Sequence, residues 1–416
     1  MKTLIHKIEL LPQGDQAIDA SALNVVWPLA SGRSEHLAVG CDPFFRCFGD
    51  VPNVAIDLAR VGVAAYMADR LTKRPQNSWS REIELVVHMV DPRDFEPVHA
   101  LIESLLYWVT GDSWSIRAVR STIGPTPASQ VGQTDAVSLA SGGLDSLCGV
   151  LLEDHAIAWF GHRDTNAVTH AQDAIASELS PPDYVRLQVR ALSEHSLERS
   201  SRSRSIMFLT LATALAMGRK AKKVIVPENG FTSLNMPLSP DRGGPRTTRS
   251  THPTTFAYFN AILMSSHLPL MIENPYQWMT KGQLLARAAT AVGTDRLESL
   301  IPITYSCAKA NTQFYKGGSF NMNCGICVAC LTRRGAIRAA GLPDRTTYLI
   351  DCASTSERER FLADRGEDIA AVQAHRGLQP DRSTLVAMGP FPEGFDYDRA
   401  LLLLNHGLEE LALGLP

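Results

Sequence analysis

The chain has 416 residues, of which 45% are hydrophobic and 20% are charged, and its formal net charge is -3. These values are typical of a soluble globular protein that is long enough for two or three domains with sizeable cores. Because the net charge is small and negative, the protein as a whole has no field that would attract nucleic acid or an acidic membrane. Any contact with nucleic acid would have to be local.

The N-terminal sequence MKTLIHKIELLPQG lacks the apolar run of a signal peptide. No segment reaches the roughly 18 uninterrupted apolar residues that a membrane-spanning helix needs. Four of the eight cysteines fall between residues 307 and 330, and the others are scattered. In a reducing compartment, clustered cysteines indicate a metal site and isolated ones indicate packing. We therefore expect a cytoplasmic protein without a membrane partner.

Residues 1–130 are expected to form a smaller N-terminal α+β domain. A helical apolar period predicts helices over 51–71 and 97–112, and the density of β-branched residues predicts a strand over 81–91. Residues 121–135 are rich in Ser, Thr, Gly and Pro, which is typical of a linker. The size and pattern of this domain suit a module that docks a partner.

From residue 136 onward the sequence alternates strands and helices. AVSLA, AIAWFGH, YVRLQVRAL and KKVIVPENG predict strands, and apolar helical repeats follow the first three. This alternation predicts an α/β domain over residues 131–350, whose parallel sheet has helices on both faces and binds ligands at the carboxyl ends of its strands. Residues 351–416 are expected to form a helical C-terminal extension.

The stretch SGGLDS lies between the first of these strands and the helix that follows it. Gly142 and Gly143 allow positive φ and a close approach to a ligand, and N–H groups at a helix N-terminus attract anions. Ser141 and Ser146 add hydroxyl donors, and Asp145 can hold Mg²⁺ or act as a carboxylate near the helix N-cap. GxxxxGK[ST] and GxGxxG are both absent from the chain, so SGGLDS predicts a pyrophosphate site of another type.

Cys307, Cys324, Cys327 and Cys330 have spacings that are typical of a metal site. CxxC brackets wrap two thiolates around one metal, and four thiolates give the closed tetrahedral shell of structural Zn²⁺. A redox or iron–sulfur site stays open as an alternative, because cysteines alone do not identify the metal.

SGGLDS resembles the PP-loop signature SGGxDS of the N-type ATP pyrophosphatases, which split ATP between its α and β phosphates. The later SC pair, then CGxCxxCxxR ending at Arg333, then AIRAAGLPDRTTY, make the chain similar to QueC, the 7-cyano-7-deazaguanine synthase family. The resemblance covers about residues 136–350. It implies an adenine nucleotide alpha hydrolase-like (PP-loop) sheet, a zinc-binding knot of four cysteines, and ATP, Mg²⁺ and Zn²⁺ as cofactors.

The predicted site residues follow from the motif, the resemblance and the predicted strand ends. Arg204 and Lys281 match family residues at helix starts and, with Asp145 and Ser146, are the predicted catalytic residues; an ordinary helix residue explains Lys281 equally well. His162 and Arg163 end the second predicted strand, so they could face the adenylate. The predicted ATP contacts are Leu139, Ala140, Ser141, Gly142, Gly143, Leu144, Asp145, Ser146, His162 and Arg163.

The predicted substrate contacts are less specific. Glu228 and Asn229 follow a predicted strand, where a carboxylate could accept the N–H groups of a guanine, although capping of the strand end is an alternative. Arg249 belongs to an arginine-rich loop that also holds Arg242 and Arg246. Guanidinium groups suit phosphate and carboxylate, but a solvated turn stays open.

His252 follows this loop and could relay a proton from an incoming amine if its pKa lies near 7. A hydrogen-bonded structural histidine is the preferred interpretation.

The resemblance also implies a reaction. QueC relatives act on 7-carboxy-7-deazaguanine: transfer of AMP to the carboxylate creates a good leaving group, and an amine then forms an amide. The housekeeping enzyme uses ammonia and a second ATP to convert the amide into a nitrile.

Two features depart from the housekeeping pattern: residues 1–130 and the long loop FTSLNMPLSPDRGGPRTTRSTHP. Both are similar to the QueC-like proteins of antiphage islands, among them the QatC proteins of QatABCD systems. That resemblance implies that the amine is the N-terminus of a partner protein from the same defence operon. We predict that deletion of residues 1–130 spares AMP formation but abolishes modification of the partner.

Three other functions fit parts of the sequence. Housekeeping synthesis of 7-cyano-7-deazaguanine would not need the N-terminal domain. A tRNA-modifying PP-loop enzyme would need a basic face and, for thiolation, a catalytic cysteine near the loop, whereas the cysteines cluster in one metal-like group. A scaffold that binds ATP without turnover is the alternative from another class, although the intact SGG and Asp145 count against it.

Overall fold

The computed structural model describes residues 5–75, 80–125, 127–153, 156–199, 201–238, 248–309 and 311–416. The strands of this part of the chain are β1 (Ile5–Pro12), β2 (Leu23–Trp27), β3 (Gly32–Arg33), β4 (Leu37–Val39), β5 (Glu82–Met89), β6 (Ser113–Arg120), β7 (Ala136–Leu139), β8 (Ile157–His162), β9 (Tyr184–Leu187), β10 (Val189–Ala191), β11 (Lys223–Ile225) and β12 (Met271–Glu273). The helices are α1 (Asn53–Leu71), α2 (His99–Thr110), α3 (Leu144–Leu152), α4 (Asn166–Leu179), α5 (Arg204–Gly218), α6 (Gly230–Leu234), α7 (Pro253–Ser265), α8 (Lys281–Val292), α9 (Thr294–Leu300), α10 (Val328–Ala339), α11 (Leu349–Cys352), α12 (Thr355–Arg365), α13 (Glu367–Ala374), α14 (Arg382–Ala387) and α15 (Tyr397–Leu413).

The N-terminal unit is built on a four-stranded sheet in the order β2–β1–β5–β6. All three strand pairs are parallel, with Ile8 opposite both Leu23 and Leu85. The predicted helices and strand of this unit are present as α1, α2 and β5. Because parallel neighbours need crossover connections, the unit has an α/β arrangement, which refines the α+β description expected from the sequence.

The second sheet is also parallel and has the order β12–β11–β7–β8–β9. From β7 the chain first builds outward through β8 and β9 and then returns to place β11 and β12 on the other side of β7. The strand order therefore reverses between β7 and β11. In doubly wound sheets, ligands bind outside the carboxyl ends of the strands at such a switch point.

The two sheets are joined by a small antiparallel sheet in the order β10–β4–β3. The predicted strand YVRLQVRAL is broken at Gln188, so that β9 pairs with β8 while β10 pairs with β4 of the N-terminal unit. Helices α1 and α5 also pack closely, since a Cβ at Gly62 would lie 2.0 Å from Thr210 Oγ1. One apolar core runs through both units.

The C-terminal extension packs against the α/β domain through α15. A Cβ at Gly335 of α10 would lie 1.9 Å from the Glu410 carbonyl oxygen, so these helices approach backbone to backbone. Their junction forms a separate apolar cluster that includes Phe231, Leu331 and Leu404. Within the described residues, the longest apolar helices fall short of what is needed to cross a bilayer.

Candidate active site and metal centre

The SGGLDS loop turns sharply between β7 and α3. Gly142 has φ 86°, and a Cβ there would meet Gln172 Cγ at 3.2 Å and the Val168 carbonyl oxygen at 3.3 Å. Positive φ and the close approach of α4 together explain why this position needs glycine. The buried Gln172 side chain donates to the Ser141 and His162 carbonyl oxygens at 3.4 and 3.1 Å, which ties the loop to the end of β8.

Hydrogen bonds within the loop orient its serine hydroxyl groups. Ser146 Oγ donates to the Gly143 carbonyl oxygen at 2.9 Å, and Ser141 Oγ lies 3.2 Å from Ser146 Oγ. The preceding residue, Ala140, pairs through its N–H with Phe160 of β8 at 2.8 Å. Leu144 begins α3, so the N-terminus of this helix points its N–H groups into the loop.

A cavity of about 510 Å³ opens in front of this loop. Its walls include the ends of β7, β8 and β11, which flank the switch point of the sheet. The lining residues are Leu139, Ser141, Ser146, Phe160, Gly161, His162, Ser201, Arg202, Arg204, Ser205, Phe208, Leu209, Val226, Pro227, Glu228, Thr248, Ser250 and Thr251. The cavity therefore brings together six of the predicted residues from four separate segments of the chain: Leu139, Ser141, Ser146, His162, Arg204 and Glu228.

Asp145 forms a buried ion pair beside the cavity. Lys281 Nζ donates to Asp145 Oδ1 at 2.6 Å, and Asn229 Nδ2 donates to Oδ2 at 2.7 Å. Both donors stand at the start of a helix, since Lys281 is the first residue of α8 and Asn229 is the N-cap of α6. None of the three is among the cavity-lining residues, but Glu228 and Ser146 connect them to it.

The protonation states follow from this pairing. Burial alone would raise the pKa of Asp145, but the Lys281 ammonium and the hydrogen bonds lower it to about 2. Burial and the neighbouring Asp145 carboxylate raise the pKa of Glu228 well above its usual value. Burial and the hydrogen bond to Asp145 thus favour the protonated form of Glu228, which limits the acceptor role for a guanine that the sequence predicts.

Three other predicted residues lie around the end of β8. His162 is buried, its Nε2 lies 3.0 Å from the Val189 carbonyl oxygen, and burial lowers its pKa, so it lines the cavity as a neutral ring. Arg204 begins α5, lines the cavity and pairs with Asp164. Arg163 is half-buried and is absent from the cavity-lining set.

Arg249 and His252, both predicted substrate contacts, lie outside the cavity lining. Arg249 stacks on Trp108 of α2, with its guanidinium carbon 3.8 Å from the ring centroid. His252 packs between Trp108 and Phe391, with ring centroids 5.2 and 4.8 Å away, and caps α7 by accepting from Thr254 N.

Burial and the Arg249 charge lower the pKa of His252 to about 3, so it is a neutral structural histidine, which was the preferred interpretation. The other two loop arginines, Arg242 and Arg246, lie outside the described residues.

Sequence reasoning missed part of the cavity wall. Ser201, Arg202 and Ser205 lie in the run SRSRS at the start of α5, and Thr248 and Ser250 lie in TTRST. The dense alternation of Arg and Ser at the start of a predicted helix was the available signal for the first group. The second group could not be separated from the rest of its long polar loop.

The four predicted metal ligands converge. Cys307, Cys324, Cys327 and Cys330 place their sulfur atoms within 4.8 Å of one another, with Sγ–Sγ distances of 3.9 Å for Cys307–Cys327 and 3.7 Å for Cys324–Cys330. A tetrahedral zinc with Zn–S bonds of about 2.3 Å requires sulfur atoms about 3.8 Å apart. The donor set and its spacing therefore fit zinc.

The metal centre is linked to the SGGLDS loop through the backbone. Tyr305 N, two residues before Cys307, donates to the Gly142 carbonyl oxygen at 2.9 Å. The buried Arg333 guanidinium donates to the Ile301 carbonyl oxygen and to Thr304 Oγ1, both at 2.6 Å. The arginine of the CGxCxxCxxR motif thus holds the segment that joins the four-cysteine cluster to the SGGLDS loop.

The doubly wound parallel sheet has a first strand that enters the SGGLDS loop, a cavity at its switch point and a four-cysteine cluster beside it. Together these features define a nucleotide-binding domain of the PP-loop type. Residues 135–341 match the family model described as "Queuosine biosynthesis protein QueC". The chain therefore carries a QueC-like domain, in agreement with the resemblance inferred from the motifs.

Curated relatives match a shorter stretch. A 7-cyano-7-deazaguanine synthase of Porphyromonas gingivalis (strain W83) is 40% identical over 79 residues, which are 19% of this chain and 29% of the relative. A 7-cyano-7-deazaguanine synthase of Cupriavidus necator is 37% identical over 77 residues, which are 18% of this chain and 28% of the relative. The chain thus matches less than a third of the length of these relatives.

Proposed function

We propose that this protein is an ATP-dependent, AMP-forming enzyme that activates 7-carboxy-7-deazaguanine and joins it through an amide to an amine. The observation that carries the proposal is the SGGLDS loop, which opens on a cavity at the switch point with its glycine turn and serine hydroxyls intact. The family match and the names of the curated relatives support the deazaguanine as substrate.

The reaction follows from the chemistry of a carboxylate. A carboxylate oxygen of the substrate attacks the α-phosphorus of ATP, an O–P bond forms, and the bond to the β-phosphate oxygen breaks to release pyrophosphate. The amine then attacks the acyl carbon, AMP leaves, and the amine loses a proton. In this scheme the loop N–H groups, Ser141 and Ser146 hold the phosphates, while Arg204 meets the charge that develops on pyrophosphate.

Mg²⁺ and Zn²⁺ have different roles in this proposal. Among the described residues, Asp145 and Glu228 are carboxyl groups close to the loop, but Asp145 is already paired with Lys281. We therefore expect Mg²⁺ to bind mainly through the ATP phosphates, where it would screen their charge. Zinc at the four cysteines would fix the segment that supports Gly142.

We further propose that the amine belongs to a partner protein in antiphage defence, on the basis of the N-terminal unit and the long loop that precedes α7. Housekeeping synthesis of 7-cyano-7-deazaguanine is the second candidate, because the curated relatives carry that name. The two functions differ in product, since the first gives a protein-linked amide and the second gives a free nitrile.

The test is to incubate the purified protein with ATP, Mg²⁺ and 7-carboxy-7-deazaguanine and to measure AMP and pyrophosphate. Ammonia in one arm and proteins from neighbouring genes in another separate the two products by mass spectrometry. Gly142→Ala is the inactive control, because φ 86° is strained for alanine and its Cβ would be in tight contact with α4. Absence of both AMP and pyrophosphate in every arm would refute the proposed activity and leave an ATP-binding scaffold.

A further inference from the structure

Two segments that line the cavity are held by the N-terminal unit. These segments, residues 201–205 and 248–251, are called here the polar wall, and they contribute the lining residues Ser201, Arg202, Arg204, Ser205, Thr248, Ser250 and Thr251. Five of these seven side chains are hydroxyls and two are guanidinium groups. The rest of the lining, apart from the loop serines, His162 and Glu228, is apolar or glycine.

The first attachment fixes the start of α5. Asp69 of α1 accepts hydrogen bonds from Ser203 N and Ser203 Oγ at 3.1 and 3.0 Å. Asp69 is itself held by Arg81 at 2.6 Å within the N-terminal unit. Next to it, Arg202 Nη1 donates to the Thr110 carbonyl oxygen at the end of α2 at 2.9 Å. The wall residues on either side of Ser203 therefore take their positions from α1 and α2.

The second attachment fixes residues 248–251. Arg249 stacks on the Trp108 ring and donates through Nη1 to the Trp108 carbonyl oxygen at 3.0 Å. Trp108 Nε1 donates to Thr255 Oγ1 at 3.0 Å, and Thr255 Oγ1 donates in turn to the Arg249 carbonyl oxygen at 2.6 Å. With Arg249 turned toward α2, its neighbours Thr248 and Ser250 face the cavity.

We propose that the polar wall, apart from Arg204, which serves pyrophosphate in the proposed function, binds the acidic second substrate, and that Asp69 and Trp108 of the N-terminal unit are positioning residues for it. The inference rests on the proposed function. The loop serines and the end of β8 line the same cavity and are the residues expected to hold ATP, which leaves the polar wall for the second substrate. Hydroxyls and guanidinium forks are the groups that recognise a carboxylate on a polar heterocycle. The N-terminal unit is thus part of the active site in addition to any docking of a partner.

The test compares Arg249→Met, which keeps the apolar stem but loses the charge, with the milder Trp108→Phe, which keeps an aromatic face. Ser104→Ala, on the exposed side of α2, is the matched control. With pyrophosphate exchange as the assay, Arg249→Met is expected to raise KM for 7-carboxy-7-deazaguanine about tenfold while KM for ATP changes less than about twofold. Trp108→Phe should raise KM for 7-carboxy-7-deazaguanine less than Arg249→Met does.

Hydrogen exchange provides the second readout. In Arg249→Met, the hydrogen-bonded amides of residues 252 and 254–256 should lose protection while those of β7 and α3 do not. An unchanged KM for the acid, or an equal rise in KM for ATP and for the acid, would overturn the role of the wall.

If the wild type shows no exchange at all, the proposed activity fails. The role of the polar wall is then tested separately by calorimetry. This experiment measures binding of 7-carboxy-7-deazaguanine to the full chain with a non-hydrolysable ATP analogue present. Binding that weakens about tenfold in Arg249→Met supports the wall, and no binding to the wild type refutes it.

Discussion

At the scale of single residues, the buried pair of Lys281 and Asp145 is the most sensitive point of the site. Both side chains are nearly inaccessible, and the ammonium is the charge that keeps Asp145 ionised in the interior. Removal of one partner leaves the other as an uncompensated buried charge, which costs about 3–5 kcal/mol.

We therefore predict that Lys281→Met lowers the free energy of unfolding by about 3–5 kcal/mol and abolishes AMP formation. The double variant Lys281→Met with Asp145→Asn should recover much of the stability, because the unpaired charge is gone, but no activity. Urea unfolding and an AMP assay measure the two effects. Equal stability of the single and double variants would contradict the pairing.

His252 provides a prediction for the pH dependence of stability. Its folded pKa of about 3 lies below the usual 6.5, so the unfolded state binds the proton more tightly. This contribution is therefore complete well above pH 6.5 and is lost as the pH falls toward 3, by about 2 kcal/mol between pH 7.5 and 5. His252→Asn keeps an N-cap acceptor and should remove this part of the loss. The two proteins are compared by urea unfolding at pH 7.5 and 5.0, and identical losses would refute the assignment.

At the scale of elements, the C-terminal extension holds the helix that carries Lys281. The Glu410 carboxylate of α15 accepts from Gly282 N at 3.0 Å and from the Thr280 hydroxyl, at the N-terminus of α8. A Cβ at Gly282 would lie 2.6 Å from Glu410 Oε1, so the glycine makes room for this contact.

Glu410→Ala is expected to destabilise the protein by about 1–2 kcal/mol and to lower AMP formation, because the start of α8 loses its acceptors and Lys281 loses its fixed position. Glu409→Ala, on the exposed face of the same helix, is the control and should be neutral. Thermal unfolding and steady-state kinetics check both variants. A fully active Glu410→Ala would show that α8 is held by its own capping box alone.

The four-cysteine cluster belongs to the same scale, because zinc bound there would fix the segment whose Tyr305 N donates to the Gly142 carbonyl oxygen. We expect one zinc per chain by elemental analysis. Cys324→Ser should lose the metal and several kcal/mol of stability, on the order of what structural zinc sites contribute. Cys352→Ser changes a cysteine outside the cluster and should keep both metal and stability. Full zinc occupancy in Cys324→Ser would argue against the four-thiolate site.

At the scale of the whole molecule, the shared core changes the expectation for truncation. The sequence suggested that deletion of residues 1–130 would spare AMP formation. In the structure, α1 packs on α5 closely enough to require Gly62, and β4 pairs with β10. Deletion would expose the apolar face of α5 and release Ser203 and Arg249.

We now expect residues 131–416 alone to be poorly folded and inactive, with exposed apolar surface that binds a hydrophobic dye. Co-expression of residues 1–130 and 131–416 as two chains should restore a complex that forms AMP, because the interface is already a packed core. A truncated protein that unfolds cooperatively and forms AMP at the full rate would support the original expectation.

The sequence by itself determined the features that depend on neighbours along the chain. The SGGLDS turn, the alternation of strands and helices, and the helix start at Arg204 follow from local backbone preferences and periodic burial, and the cysteine cluster follows from the spacing of its residues. These signals extend over one or two turns of helix, so a single stretch of sequence contains them.

Only the tertiary structure decided which way polar side chains face and which distant segments meet. The Lys281–Asp145 pair joins residues 136 positions apart, and Arg249 stacks on Trp108 instead of lining the cavity. Gln188 interrupts a stretch that looks like one strand, because its second half finds a partner in the N-terminal unit. These contacts depend on how whole units pack against each other, and a local sequence pattern does not indicate which distant segment it will contact.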